Sequence, residues 1–179
     1  MPDMAPTETT NLDRYGNAEL PWDRAKELLE TDPPSAMTTW FLGTTRPDGR
    51  PHAAGVGAVW HEGELYFVSG PGTRKSRNLA QNPVCTVSAT LKGIDVVLVG
   101  EATRVTDTAG LDALATTYRT GGWPVEVQDD AFTAPYSAPS AGPPPWYLYR
   151  LTLQTAFGVA REDPQGATRW TFDQLDERP

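Results

Sequence analysis

The chain has 179 residues, enough for one domain with a real core and too few to suggest two. Its formal net charge of −8 disfavours nucleic acid and anionic membrane surfaces as partners, so any anion site must be a local cluster of cations. Hydrophobic residues make up 39% and charged residues 21%, and 16 glycines with 17 prolines suit short strands separated by turns better than a helical bundle, which points to a mainly β or α+β protein.

Residues 1–19 are polar with few large apolar groups and are expected to form a flexible N-terminal tail, with the folded domain occupying 20–179. Pro21 suits a first helical position, and Trp22, Ala25, Leu28 and Leu29 recur at helical spacing until Pro33 and Pro34 end a short covering helix. From Thr38 the period changes to two, with Trp40, Leu42 and Thr44 on one face. Arg46-Pro47-Asp48-Gly49 supplies a turn into a strand over 52–60, and a second turn at 61–64 leads to a strand over 65–69. Gly70-Pro71-Gly72 then breaks the chain, and Thr73 is a good N-cap for a helix from Arg74 to about Gln81, closed by Asn82-Pro83.

Residues 84–90 and 94–105 read as two further strands joined at Lys92-Gly93, bringing the sheet to five. Asp107 can cap a helix with Leu111, Leu114, Ala115 and Tyr118 on one face. Residues 121–145 are rich in Pro, Gly, Ala and Ser and show no period; they read as a long loop, expected to act as a lid that becomes protected when ligand binds. A strand pattern resumes over 146–160, and 168–172 can pair with it across a turn at 163–166.

The chemistry concentrates at Ser69-Gly70-Pro71-Gly72-Thr73-Arg74-Lys75-Ser76-Arg77-Asn78. Three cations and two hydroxyls fall in the first turns of a helix whose free N–H groups and positive dipole end favour a phosphate. A solvated basic helix face is the competing reading. Lys75-Ser76 resembles the end of a nucleotide-hydrolase P-loop, but Arg74 and Ser69 stand where that motif needs glycines. On the preceding strand, Gly55 and Gly57 mark either close approach by a flat ring or a bend at a barrel corner.

His52 and His61 are nine residues apart at opposite ends of one strand, with no clustered Cys or paired carboxylates, so no metal site is expected. Ser69 and Ser76 lack a nucleophile elbow, Cys85 reads as a small core residue, and no catalytic acid, base or nucleophile stands out. With one cysteine, no basic start followed by a long apolar run, and a best apolar run of only 94–99, a soluble cytoplasmic protein is the expectation.

The stretch Phe67-Val68-Ser69-Gly70-Pro71-Gly72-Thr73-Arg74-Lys75 resembles the FMN-binding strand, turn and helix of the pyridoxamine 5′-phosphate oxidase superfamily. The wider pattern of residues 44–52, Lys75-Ser76-Arg77-Asn78-Leu79 and Asn82-Pro83 is similar to its flavin/deazaflavin oxidoreductase branch, whose last long strand Phe157-Gly158 resembles. The resemblance spans roughly 20–172. It implies an antiparallel split β-barrel with a few short peripheral helices, a homodimer with cofactor at the subunit interface, and a reductase acting on a small unsaturated organic substrate. The implied cofactor is the deazaflavin coenzyme F420, with FMN as the alternative, and the chemistry belongs to the cofactor.

The expected cofactor-binding set comprises His52, Gly55, Val56, Gly57, Ser69, Thr73, Arg74, Lys75, Ser76, Arg77 and Asn78. Vitamin B6 oxidases carry Arg and Lys on the strand corresponding to 53–58, where this chain has Ala, Gly and Val, which argues against that substrate. A non-catalytic flavin or tetrapyrrole binding or storage protein on the same scaffold is the alternative function.

Overall fold

A computed structural model describes residues 4–31 and 38–172. The elements in chain order are β1 (Glu8–Asn11), α1 (Trp22–Thr31), β2 (Trp40–Thr45), β3 (Pro51–Val56), β4 (Ala58–His61), β5 (Glu64–Ser69), α2 (Arg74–Gln81), β6 (Val84–Leu91), β7 (Ile94–Val105), α3 (Thr108–Thr120), β8 (Glu126–Gln128), β9 (Ala131–Thr133), β10 (Tyr147–Ala160) and β11 (Ala167–Thr171). All strand pairs are antiparallel, and the expected mainly β split barrel with short peripheral helices is present.

The residues expected as one strand over 52–60 divide at Gly57. β3 pairs with β2, β4 pairs with β5, and the bend between them closes a ring that runs β3, β2, β6, β7, β10, β5, β4. Gly57 is therefore the barrel corner, its carbonyl accepting from Val68 N at 3.3 Å and from the Tyr118 hydroxyl at 3.1 Å. The long β10 splits its partners: residues Tyr147 to Leu151 pair with β5, and residues Thr155 to Val159 pair with β11. An irregularity between Leu153 and Thr155 re-aims the strand at that change of partner.

One core fills the barrel, with Leu42, Phe67, Val87, Leu98, Leu151 and Ala156 all nearly sealed from water. Trp170 closes one end of it. Its indole donates to the Leu20 carbonyl at 3.0 Å, Trp22 meets it edge-on, and its ring fills the space a β-carbon at Gly158 would need. A second cluster lies beneath α3, around Leu111, Leu114, Phe132, Trp146 and Leu148.

Two expectations are corrected. Part of the supposed tail, residues Glu8–Asn11, forms edge strand β1 on β11. An edge strand is held by main-chain hydrogen bonds and needs little apolar surface, so its composition concealed it. The 121–145 segment likewise is not a period-free loop. β8 and β9 form a hairpin, Phe132 and Trp146 exchange main-chain hydrogen bonds at 2.8 Å, and Val125 and Phe132 are fully buried against α3 and its neighbours. Strands of three residues are too short to show a period. The Pro33 and Pro34 helix stop lies outside the described residues.

Candidate functional site

β5 ends in Ser69 at the mouth of the barrel, and the chain turns through Gly70, Pro71 and Gly72 into α2. Thr73 caps that helix: its hydroxyl accepts from Ser76 N at 3.3 Å and donates to the Gly70 carbonyl at 2.8 Å. Ser76 Oγ donates to Ser69 Oγ at 2.9 Å, and Ser69 Oγ stands 2.9 Å from Thr73 Oγ1. The three hydroxyls thus form a chain that ends on a main-chain carbonyl. Ser69 and Ser76 are buried and hold the glycine turn in shape.

The helix side chains divide between inside and outside. Arg74 and Arg77 are exposed, and one Arg77 nitrogen donates back to the Gly72 carbonyl at 3.1 Å. Asn78 is buried, donating to Thr44 Oγ1 at 2.9 Å, while Leu79 enters the barrel core. Lys75 is also buried, with Nζ donating to the Ser140 carbonyl at 2.6 Å.

His52 lies opposite Thr44 in the β2–β3 ladder, on the same end of the barrel. Burial, followed by the charges of Arg46, Lys75 and Arg74, holds its imidazolium below the usual histidine range. Burial also lowers the affinity of the Lys75 amine for its proton. Three cations around one imidazole, in a chain of net charge −8, mark a local positive field.

Several buried polar atoms at this end have no hydrogen-bond partner among the described residues: Arg46 Nε, His52 Nδ1 and Asn78 Oδ1. Orphaned buried groups are rare in folded proteins, and at a cationic mouth they fit an anionic ligand with polar groups attached. The donor set suits a phosphate, and the Asn78 oxygen would accept from a hydroxyl or N–H on the same ligand.

The structure thus gathers His52, Ser69, Thr73, Arg74, Lys75, Ser76, Arg77 and Asn78 at the start of α2. It separates the other three expected residues from that cluster. Val56 faces the barrel core, Gly57 is the corner, and Gly55 sits across from exposed Phe41 on the outer face. Sequence reading missed Arg46, Thr44 and Ser140. Arg46 falls in the turn and in the 44–52 pattern without being assigned to the site; its position directly after β2, six residues from His52, is the available signal.

The family model described as pyridoxamine 5′-phosphate oxidase matches residues 22–146. No curated protein matches the chain. Among solved structures, a pyridoxamine 5′-phosphate oxidase-related, FMN binding protein from Nostoc punctiforme superposes with a TM-score of 0.57 at 18% identity, covering 90% of this chain and 95% of that one. A NimC/NimA family protein from Clostridium acetobutylicum gives 0.57 at 18% identity, covering 83% and 90%. An F420 reductase gives 0.50 at 20% identity, covering 73% and 94%. At these identities the likeness is one of fold.

Proposed function

The chain belongs to the pyridoxamine 5′-phosphate oxidase family, and from that membership we propose that it is an oxidoreductase holding a deazaflavin of the F420 type or FMN and reducing a small unsaturated organic molecule. The observation that carries this reading is the meeting of Arg46, His52, Arg74 and Lys75 at a capped helix start, with unpartnered polar atoms beside them. Arg74, Arg46 and the first α2 amides would hold the phosphate, and Asn78 would take a polar group of the attached chain. The bound cofactor supplies the hydride or electron transfer.

The outer barrel face completes the reading. Phe41, Gly43, Ala53, Gly55, Thr86, Ser88, Val97, Val99 and Phe157 form an almost uncharged surface across five strands, in which Phe41 is 50% and Val97 is 36% exposed. A second copy of the chain would cover it and place Gly55 at the seam. The deciding experiment is titration of the purified protein with F420 and with FMN, followed by turnover of reduced cofactor with candidate acceptors. Saturable binding of one cofactor with turnover supports the reading. Binding without turnover favours a binding or storage protein, and no binding of either removes the proposal.

A further inference from the structure

Lys75 is only 5% exposed, and the acceptor its Nζ meets among the described residues is the main-chain carbonyl of Ser140; no carboxylate there pairs with it. An ammonium group taken out of water against one neutral carbonyl is poorly compensated. That carbonyl is presented by a tight turn. Ala138 N donates to Gly142 O at 2.9 Å, Gly142 N returns to Ala138 O at 2.8 Å, and the Trp146 indole donates to Gly142 O at 3.0 Å. The next carbonyl, of Ala141, presses on Gly70 so closely that a β-carbon there would collide with it. The Gly70 backbone is not in the left-handed region, so space and not conformation explains the glycine. The Ala141 methyl is lodged among buried residues of the second cluster, which include Val68 and Trp146.

Two consecutive carbonyls therefore sit against the Gly70–Lys75 stretch, where an anion would be received. We propose that the 138–142 turn is an internal competitor for Lys75: the Ser140 carbonyl stands in for the ligand's anionic group, and the turn withdraws when a phosphate-bearing cofactor binds. This rests on the cofactor reading above and deepens it. Its sign is opposite to that of a lid closing over ligand, because the amides of Ala141 and Gly142 lose protection on binding. Gly70 is the position that lets the turn dock.

The test follows hydrogen exchange in peptides covering 131–146 alongside ring-fluorescence titration with FMN and with F420. Wild type is compared with Gly70→Ala, which pushes the turn off, and with Ala141→Asp, which makes its apolar slot unfavourable; neither alters Lys75. Exchange at 138–142 should rise when cofactor binds wild type, and should already be fast in both variants without cofactor. The variants should bind roughly 10-fold tighter, the factor set by losing one charged hydrogen bond from the closed state. Binding to wild type with unchanged or slower exchange at 138–142 overturns the competitor and leaves the cofactor reading standing. An opened turn with unchanged or weaker affinity overturns it as well. Absence of binding in all three folded proteins removes the cofactor reading and the competitor together. If a variant fails to fold, the wild-type exchange measurement decides alone.

Discussion

The Asn78 side-chain amide donates to the Thr44 hydroxyl at 2.9 Å, with both residues buried, and so fastens the middle of α2 to strand β2 at the barrel mouth. The helix start is positioned by this tie and by Leu79, its neighbour in the core. Asn78→Ala removes the bond and opens a small gap. It should destabilise the protein by about 1–3 kcal/mol, read as a lower denaturant midpoint with unchanged slope. Wild-type unfolding in that variant would show that α2 is held by other contacts.

Arg74 is exposed at the first position of α2, free of the hydroxyl network beneath it. Arg74→Ala should weaken cofactor binding by roughly 10-fold to 150-fold, the range expected for one charge-assisted hydrogen bond of about 1.5–3 kcal/mol. Arg161, which reaches Asp95 at the opposite end of the barrel from α2, is the control. Arg161→Ala should change affinity little, because exposed charges beyond roughly 8–10 Å are screened in physiological salt. Equal loss in both variants would mean that general surface charge, and not this helix, attracts the ligand.

His52 should titrate below the ordinary histidine value of 6.5, because burial and the cations Arg46, Lys75 and Arg74 oppose its protonation. The folded protein then binds protons less readily than the unfolded chain at this site. Its contribution is complete above pH 6.5 and is lost as the pH falls through the lowered value. Ring-proton NMR should show the midpoint rising in Arg46→Gln, and rising further when a phosphate-bearing cofactor adds negative charge. A midpoint that ignores both changes would place His52 outside the positive field.

Phe41 is half exposed on the uncharged outer face, across from Gly55 and Ser88. If the proposed dimer forms through this face, the wild type should sediment as a dimer at micromolar concentration and Phe41→Asp as a monomer, with the far-UV spectrum unchanged. A monomeric wild type with cofactor present would remove the dimer from the proposal.

The sequence by itself determines what local chemistry decides. Thr73 and Asp107 cap their helices as expected, because a side chain meeting an amide three residues on depends on nothing distant. Gly49, Gly63 and Gly93 take the positive φ values that their hairpin turns require. The basic helix start was likewise legible, as a glycine turn, a cap and adjacent cations.

Tertiary structure alone decided which of those residues face a ligand. Lys75 and Arg74 are neighbours in sequence, yet helical geometry sends one inward to Ser140 and leaves the other in water. The Ser140 carbonyl arrives from 65 residues further along the chain. Gly57 became a corner only because β4 found β5 while β3 kept β2. Strand β1 exists because β11 offers it an unpaired edge. Each of these outcomes is a long-range pairing, fixed by closure of the barrel and by the need to satisfy buried main-chain groups, and neither composition nor period carries that information.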